Sequence, residues 1–257
     1  MKYDHARKIG NEGDTAKHAA LAALIEEKLG CGVQAPFIYA ETHAGRARYL
    51  LPAEGAWERG IGFLAGRLRE NAGALEPYRR NCFSLAPEVG GEYWGSAGIA
   101  YRMIAAAGVP FRFYLWDTDP AVCDDLAAFF GAHPQVSIHR GDGYEGVEGL
   151  AAADLVLMDP FSVELDCDRI LGTLDHLSAG SIDFLCWTPL VGPADQPTQI
   201  RFTKDTGGRF GTVQVQWQEP CKHTWGCRIT VPSSRVALIG RTMKELGDVT
   251  GWRIGQA

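Results

Sequence analysis

Polar residues of one kind recur at one place in the pattern of this sequence. Glu41 and His43 follow the apolar run Phe37-Ile38-Tyr39-Ala40. Asp117 closes the run from Phe111 to Trp116, Asp142 follows Val136 to His139, and Asp159 closes Leu155-Val156-Leu157-Met158. Taken singly, each acid is an ordinary cap or turn residue. Four successive apolar runs that each end in an acid point instead to a common polar rim. In an open parallel sheet, ligands bind beyond the carboxyl ends of the strands. Carboxylates there accept hydrogen bonds from hydroxyls and amines and balance positive charge. An acid after the second strand suits the paired hydroxyls of a ribose. Asp142 suits the amine of an adenine, and a further carboxylate suits an amino-acid ammonium. The segment Glu41-Thr42-His43-Ala44-Gly45 holds one glycine rather than a glycine-rich loop, so by itself it is a weak phosphate or nucleotide signal.

The elements that must carry this rim alternate along the chain. Asp14 is the expected N-cap of a first helix through Lys28, with Gly30 as its stop and Ala20, Leu21, Leu24, Ile25 and Leu29 as its apolar stripe. Phe37 to Ala40 reads as the first strand. Residues 54–91 are charged and helical in pattern, an insertion after that strand. Gly95-Ser96 opens a helix, Phe111 to Trp116 is the second strand, and Asp119-Pro120 opens another helix with proline in its first turn. Val136 to His139, Leu155 to Met158 and Ser181 to Trp187 are three more strands. The tail differs: Val213 to Trp217, Arg228 to Val231 and Arg235 to Ile239 are β-type runs without full helices between them. They predict strands added at the sheet edge, some antiparallel. The expected fold is a single α/β domain over 1–257, a doubly wound sheet with a small helical insertion at 54–91.

Bulk properties narrow the class. A 257-residue chain that is 46% hydrophobic buries one large core. No apolar run approaches the ~18 residues of a membrane-spanning helix, and the N-terminus from Met1 to Lys8 lacks the apolar stretch of a secretory signal. A cytoplasmic protein without a membrane partner is expected, acting as a monomer. Seven irregularly spaced cysteines suit reduced thiols. Cys221, His223 and Cys227 lack a second ligand pair, so no metal is expected. A net charge of −6 argues against an extended nucleic-acid surface but allows a local basic patch. Arg46, Arg48, Arg59, Arg67, Arg69, Arg79 and Arg80 form such a cluster, which a solvated helical face would equally produce.

Longer motifs carry a resemblance. Tyr3-Asp4-His5 through Gly10-Asn11, Asp14, Lys17-His18, Glu41 through Tyr49, Tyr93-Trp94-Gly95-Ser96, Asp117 through Pro120, Asp142-Gly143-Tyr144, Asp159-Pro160 and Thr224 through Cys227 occur in order over nearly the whole chain. In these the sequence resembles the RlmJ-type methyltransferases, which use S-adenosylmethionine to methylate the exocyclic amine of an adenine in large-subunit ribosomal RNA. The resemblance implies a Rossmann-like methyltransferase sheet, S-adenosylmethionine as cofactor and ribosomal RNA as partner. It implies cofactor contacts at His18, His43, Ser96, Asp117, Asp142 and Asp159. It implies that Tyr3, His5 and Lys17 arrange substrate beside the methyl group and, with Asp159, form the catalytic set. It also makes the 54–91 insertion an RNA-contacting element, with Arg46 and Arg48 beside it as substrate-binding residues.

The sequence departs from that family at one point of chemical weight. Adenine-amine methyltransferases carry Asp-Pro-Pro-Tyr after the fourth strand, and this chain has Asp159-Pro160-Phe161-Ser162. The amine lone pair is delocalised into the purine. The acid and a backbone carbonyl accept its hydrogens, while the final ring stacks on the extruded base, worth about 1–3 kcal/mol. Ser162 cannot stack, and Phe161 sits one residue earlier. Glu12 also stands where the family has a histidine. Two further readings therefore accompany an adenine methyltransferase: a relative with a changed acceptor (another nucleotide, a protein or a small molecule), and a non-catalytic cofactor- or RNA-binding relative.

Overall fold

The centre of the fold is strand β1 (Phe37–Glu41), whose Phe37, Tyr39 and Ala40 are fully buried. In the computed structural model, which describes residues 8–32, 36–68, 72–82, 87–193 and 196–256, β1 pairs in parallel with β4 (Phe111–Asp117) on one side and β6 (Leu155–Met158) on the other. Strand β5 (Val136–Arg140) extends the sheet beyond β4, and β7 (Asp183–Gly192) beyond β6, both parallel. All four residues of β6 are buried, as expected of a strand covered on both faces. The strand order reverses at β1, which makes it the switch point of a doubly wound sheet.

The outer half of the sheet runs differently. Strands β8 (Gly211–Gln216), β9 (Cys221–Val231) and β10 (Arg253–Gln256) complete the order β10-β8-β9-β7-β6-β1-β4-β5, with β9 antiparallel to both β7 and β8. This is the antiparallel end that the tail runs imply, with one correction. Arg235 to Ile239 is not a strand: Ser233–Arg235 is a 3₁₀ turn that leads into helix α9 (Val236–Thr250). Ile239, Thr242, Met243 and Leu246 bury one face at helical spacing, a period that a five-residue window cannot display. Strand β10 follows α9 and closes the sheet edge.

Helices cover both faces. On one lie α1 (Glu12–Gly30), α4 (Ser96–Ala106), α5 (Pro120–Phe130) and α9, packed on Phe113, Leu115, Leu185, Cys227 and Ile229. On the other lie α6 (Gly143–Glu148), α7 (Val163–Ala179) and α8 (Pro197–Thr206), packed on Val156, Met158, Phe184 and Cys186. The first helix begins three residues earlier than its sequence pattern suggests. The Asn11 side chain accepts the Asp14 amide at 2.8 Å and is the cap, while the Asp14 carboxylate turns back to accept the Gly10 amide at 2.8 Å. Five alanines let the buried length of α1 lie close to its neighbours.

Between β1 and α4 the chain makes a two-stranded antiparallel ribbon, β2 (Arg48–Leu50) with β3 (Glu92–Trp94). The stretch between these strands holds the short helices α2 (Ile61–Ala65) and α3 (Glu76–Cys82). Ile9, Leu51, Trp57, Ile61 and Tyr93 form a small separate core under it.

Candidate active site

The strand-end residues meet along the carboxyl edge on both sides of the switch point. Asp117, the last residue of β4, is held by backbone amides: Gly45 N–H donates to one oxygen at 3.1 Å and Asp119 N–H to the other at 2.8 Å. Asp142 caps α6 through the Tyr144 amide at 3.0 Å, and its second oxygen pairs with Arg169 of α7. Burial works against the Asp142 charge, but Arg169 and the Tyr144 amide hold its carboxyl below the ordinary range. A ligand amine at Asp142 must therefore share this carboxylate with a guanidinium. The loops after β1 and β5 touch closely. A Cβ on Gly143 would lie 2.0 Å from the Thr42 carbonyl oxygen, so only glycine fits there. His43 is half-buried. Its Nδ1 is 2.7 Å from the Thr42 hydroxyl, its ring lies edge-on to Tyr144, and burial lowers its pKa, favouring neutral imidazole.

Asp159, just past β6, takes the Lys17 ammonium on Oδ2 at 2.5 Å, and Lys17 also reaches Asp14 at 3.0 Å. Lys17 is 7% exposed. Burial pulls its pKa down, but the two carboxylates outweigh that and hold the ammonium above the usual lysine range. The indole of Trp187, on β7 next to the strand carrying Asp159, lies 5.6 Å from the same Nζ. Gly13 makes room for it, since a Cβ there would come 2.7 Å from Trp187 Cζ2.

Other expected site residues turn inward. Ser96 donates its hydroxyl to Glu41 at 2.7 Å, and Tyr39 donates to the other Glu41 oxygen at 2.6 Å. Glu41 is fully buried, and burial raises its pKa to about 8 against the lowering effect of those two donors. It is a neutral or nearly neutral brace under the site and offers no free oxygen to a ligand ammonium. His18 is buried against Tyr93, with 2.8 Å between Nδ1 and the hydroxyl, and burial drops its pKa to about 3. Its place is structural support for the β2–β3 ribbon. Tyr3 and His5 lie outside the described residues.

The basic cluster is already occupied. Arg46 pairs with Asp125 of α5, Arg48 with Glu92 across the ribbon at 2.6 Å, Arg59 with Glu12 at 3.0 Å, Arg79 with Glu76 at 2.7 Å and Arg80 with Glu26 at 2.9 Å. Arg67 stacks on Phe63, and Arg69 lies outside the described residues. Phe161 is 66% exposed beside Asp159, and Ser162 donates to Glu164 at 2.8 Å. Arg169, Trp187 and the Glu41 brace are not visible in strand-end spacing. Only the i, i+7 step from Ser162 along α7 places Arg169 under the rim, and Trp187 shows itself only once β7 is laid against β6. Among the described residues there is no group of three metal-ligand side chains, and the seven thiols stand free.

No family model and no curated protein matches the chain. Among solved structures it is similar to a Legionella pneumophila protein of the DUF519 family, at 20% identity and a TM-score of 0.75, over 97% of this chain and 98% of that one. It is also similar to a probable spermidine synthase from Corynebacterium glutamicum, at 10% identity and a TM-score of 0.53, over 100% and 78% of the two chains. An rRNA methylase from Streptococcus thermophilus matches at 9% identity and a TM-score of 0.44, over 84% and 94%, a score too low to add to the fold. The first two likenesses agree with a Rossmann-like α/β architecture.

Proposed function

We propose that this chain is an S-adenosylmethionine-dependent methyltransferase whose acceptor is the exocyclic amine of an adenine in ribosomal RNA. The observation that carries the reading is the row of His43, Asp117, Asp142 and Asp159 at the ends of four adjacent parallel strands around a switch point. These residues fit the cofactor. Asp117, fixed by two amides, is placed to accept the ribose hydroxyls. Gly143 lets the β5 loop pack directly on the Thr42 carbonyl of the β1 loop, and neutral His43 borders this seam without adding charge. When bound, S-adenosylmethionine supplies a methyl group on a sulfonium centre.

The chain's own residues do the rest. Lys17 pins one oxygen of Asp159, so the other oxygen faces the acceptor. That oxygen accepts an N–H of the amine and favours the positive charge that develops on nitrogen. The base must leave its stack to reach Asp159, and Phe161 and Trp187 are the aromatic surfaces flanking that position. On this reading ribosomal RNA is the partner, the cytoplasm the compartment and the monomer the working form. No helix of the described residues is long and apolar enough to cross a membrane.

Two observations favour a second reading, a methyltransferase with a changed acceptor. Ser162 replaces the stacking ring, and Arg46, Arg48, Arg59, Arg79 and Arg80 of the basic cluster are bound to carboxylates. One experiment separates the readings: labelled methyl transfer to unmodified ribosomal RNA, total protein and small metabolites. Label in RNA that disappears with Asp159→Asn supports the adenine acceptor, and label confined to another fraction replaces it. Calorimetry with S-adenosylhomocysteine tests the cofactor alone. Asp117→Ala should weaken binding by about 1.5–3 kcal/mol, the cost of a lost charged hydrogen-bond partner. No binding to folded wild-type protein would remove both readings.

A further inference from the structure

The sheet has a second polar feature, on the face opposite Lys17 and at its antiparallel end. Arg228 of β9 is 2% exposed. Its side-chain partners are neutral: Nη2 donates to the Thr203 hydroxyl at 2.5 Å, Nη1 reaches the Gln199 carbonyl oxygen at 3.5 Å, and the guanidinium lies 5.3 Å from the Phe202 ring centre. Its Nε is buried without an acceptor, and no carboxylate among the described residues salt-bridges it. Burial pushes its pKa down to about 10, which leaves it charged at neutral pH. A buried charge without a counter-ion is costly, and proteins normally supply one.

Arg228 borders a cleft of about 380 Å³ between α8 and the ends of β7, β8 and β9. Leu190 and Trp225 form its apolar floor, at 2% and 6% exposure. The Trp225 indole is fixed by donation to the Gly192 carbonyl at 2.7 Å. Ile200, Gln214 and the exposed Lys204 complete the wall and rim. The cleft thus combines an unneutralised guanidinium, a second cation at the mouth and an apolar floor. Its volume is at the small end of ligand pockets.

We infer that this cleft binds a small organic oxyanion, with its carboxylate or phosphate head toward Arg228 and Lys204 and its apolar body against Leu190 and Trp225. The ligand would be the counter-ion that the fold itself lacks. A purely structural role for Arg228, tying α8 to β9 through Thr203 and Gln199, requires neither the open cleft nor Lys204. The inference is independent of the methyltransferase reading, because no residue of the strand-end row lines the cleft.

The test is calorimetric titration of the full chain with benzoate and with phenyl phosphate, and with benzamide as the uncharged control, both alone and with S-adenosylhomocysteine present. Saturable binding of at least one acid, unchanged by S-adenosylhomocysteine and absent for benzamide, is expected. Which acid binds identifies the head group. Lys204→Glu, an exposed change that leaves the core alone, should weaken it at least about tenfold, and Arg228→Met should abolish it. If Arg228→Met does not fold, Lys204→Glu and Arg228→Lys decide, the latter weakening binding by removing the planar fork. Absence of binding by both acids, equal binding of benzamide, or affinity unmoved by Lys204→Glu would each overturn the inference.

Discussion

Lys17 and Arg228 are both cations removed from water on one sheet, and their surroundings are opposites. Lys17 sits between Asp14 and Asp159, two acids supplied by its own helix and by the end of β6. Arg228 has a hydroxyl, an amide and an aromatic ring. A buried cation with two acids is a finished structural unit, and its removal leaves uncompensated negative charge. A buried cation with neutral partners is unfinished, and an apolar residue of similar volume replaces it at little cost. The first arrangement holds a carboxylate in place for something else to use, and the second waits for an anion. The difference also separates the halves of the molecule, the parallel half rich in acids at its edge and the antiparallel half poor in them.

The largest effect expected from this contrast is on stability. Lys17→Met should destabilise the protein by about 3–5 kcal/mol, because Asp14 and Asp159 then face each other with no cation between them. Arg228→Met should change stability by no more than about 1 kcal/mol, since the lost hydrogen bonds are offset by relief of an unpaired charge. Urea denaturation of both variants measures the pair. Equal losses would break the comparison and would mean that Arg228 has a counter-charge of its own.

A third buried ionisable group gives a smaller, pH-dependent effect. The folded pKa of Glu41, about 8, is raised above its ordinary 4.5, so the folded state holds a proton that the unfolded chain has lost. Its contribution is complete below pH 4.5 and is lost as pH rises toward 8. The folded pKa of His18, about 3, is depressed below 6.5, so its contribution is complete above pH 6.5 and is lost as pH falls toward 3. From 4.5 to 6.5 the two slopes oppose each other, and above 6.5 only Glu41 remains. Stability should therefore fall by about 1 kcal/mol between pH 6.5 and 7.5, and Glu41→Gln should remove that slope. A wild-type curve that is flat or rising in this window would show that Glu41 ionises normally in the folded protein.

These groups also mark how far the sequence could be read. Alternating runs that end in acids give the parallel half directly, because each strand is continuous and its acid sits at the exit. Asp117, Asp142, Asp159 and His43 reach one edge for that reason. Glu41 has the same spacing but points into the core: it lies in register with Leu115 and Leu157, two residues short of Asp117 and Asp159, and follows the alternation of β1 toward Tyr39 and Ser96. Ser96 and His18 are likewise turned inward by contacts distant in sequence. The antiparallel half is harder to read. Arg235 to Ile239 is β-branched and apolar enough to pass for a strand, and only the spacing through Leu246 makes it a helix. Trp187 and Arg228 gain their meaning from neighbours across the sheet, information that no local window carries.

The smallest effect is expected at Ser162, and it bears on the acceptor. Ser162 precedes α7, and its hydroxyl donates only to the exposed Glu164 side chain, so Ser162→Tyr should alter stability by no more than about 0.5 kcal/mol. Its consequence for transfer depends on what lies against Asp159. If an adenine base does, a ring at this position adds stacking surface next to the exposed Phe161, and methyl transfer to ribosomal RNA should stay level or rise. Phe161→Ala should then lower it, and Ser162→Tyr should restore part of that loss. If the acceptor is smaller than a base, the same tyrosine fills its space and transfer to that acceptor falls. Initial rates for wild type, the two single variants and the double variant, measured at saturating cofactor, distinguish these outcomes. A fall on Ser162→Tyr, together with indifference to Phe161→Ala, would count against a stacked base and leave Lys17 and Asp159 serving a different nucleophile.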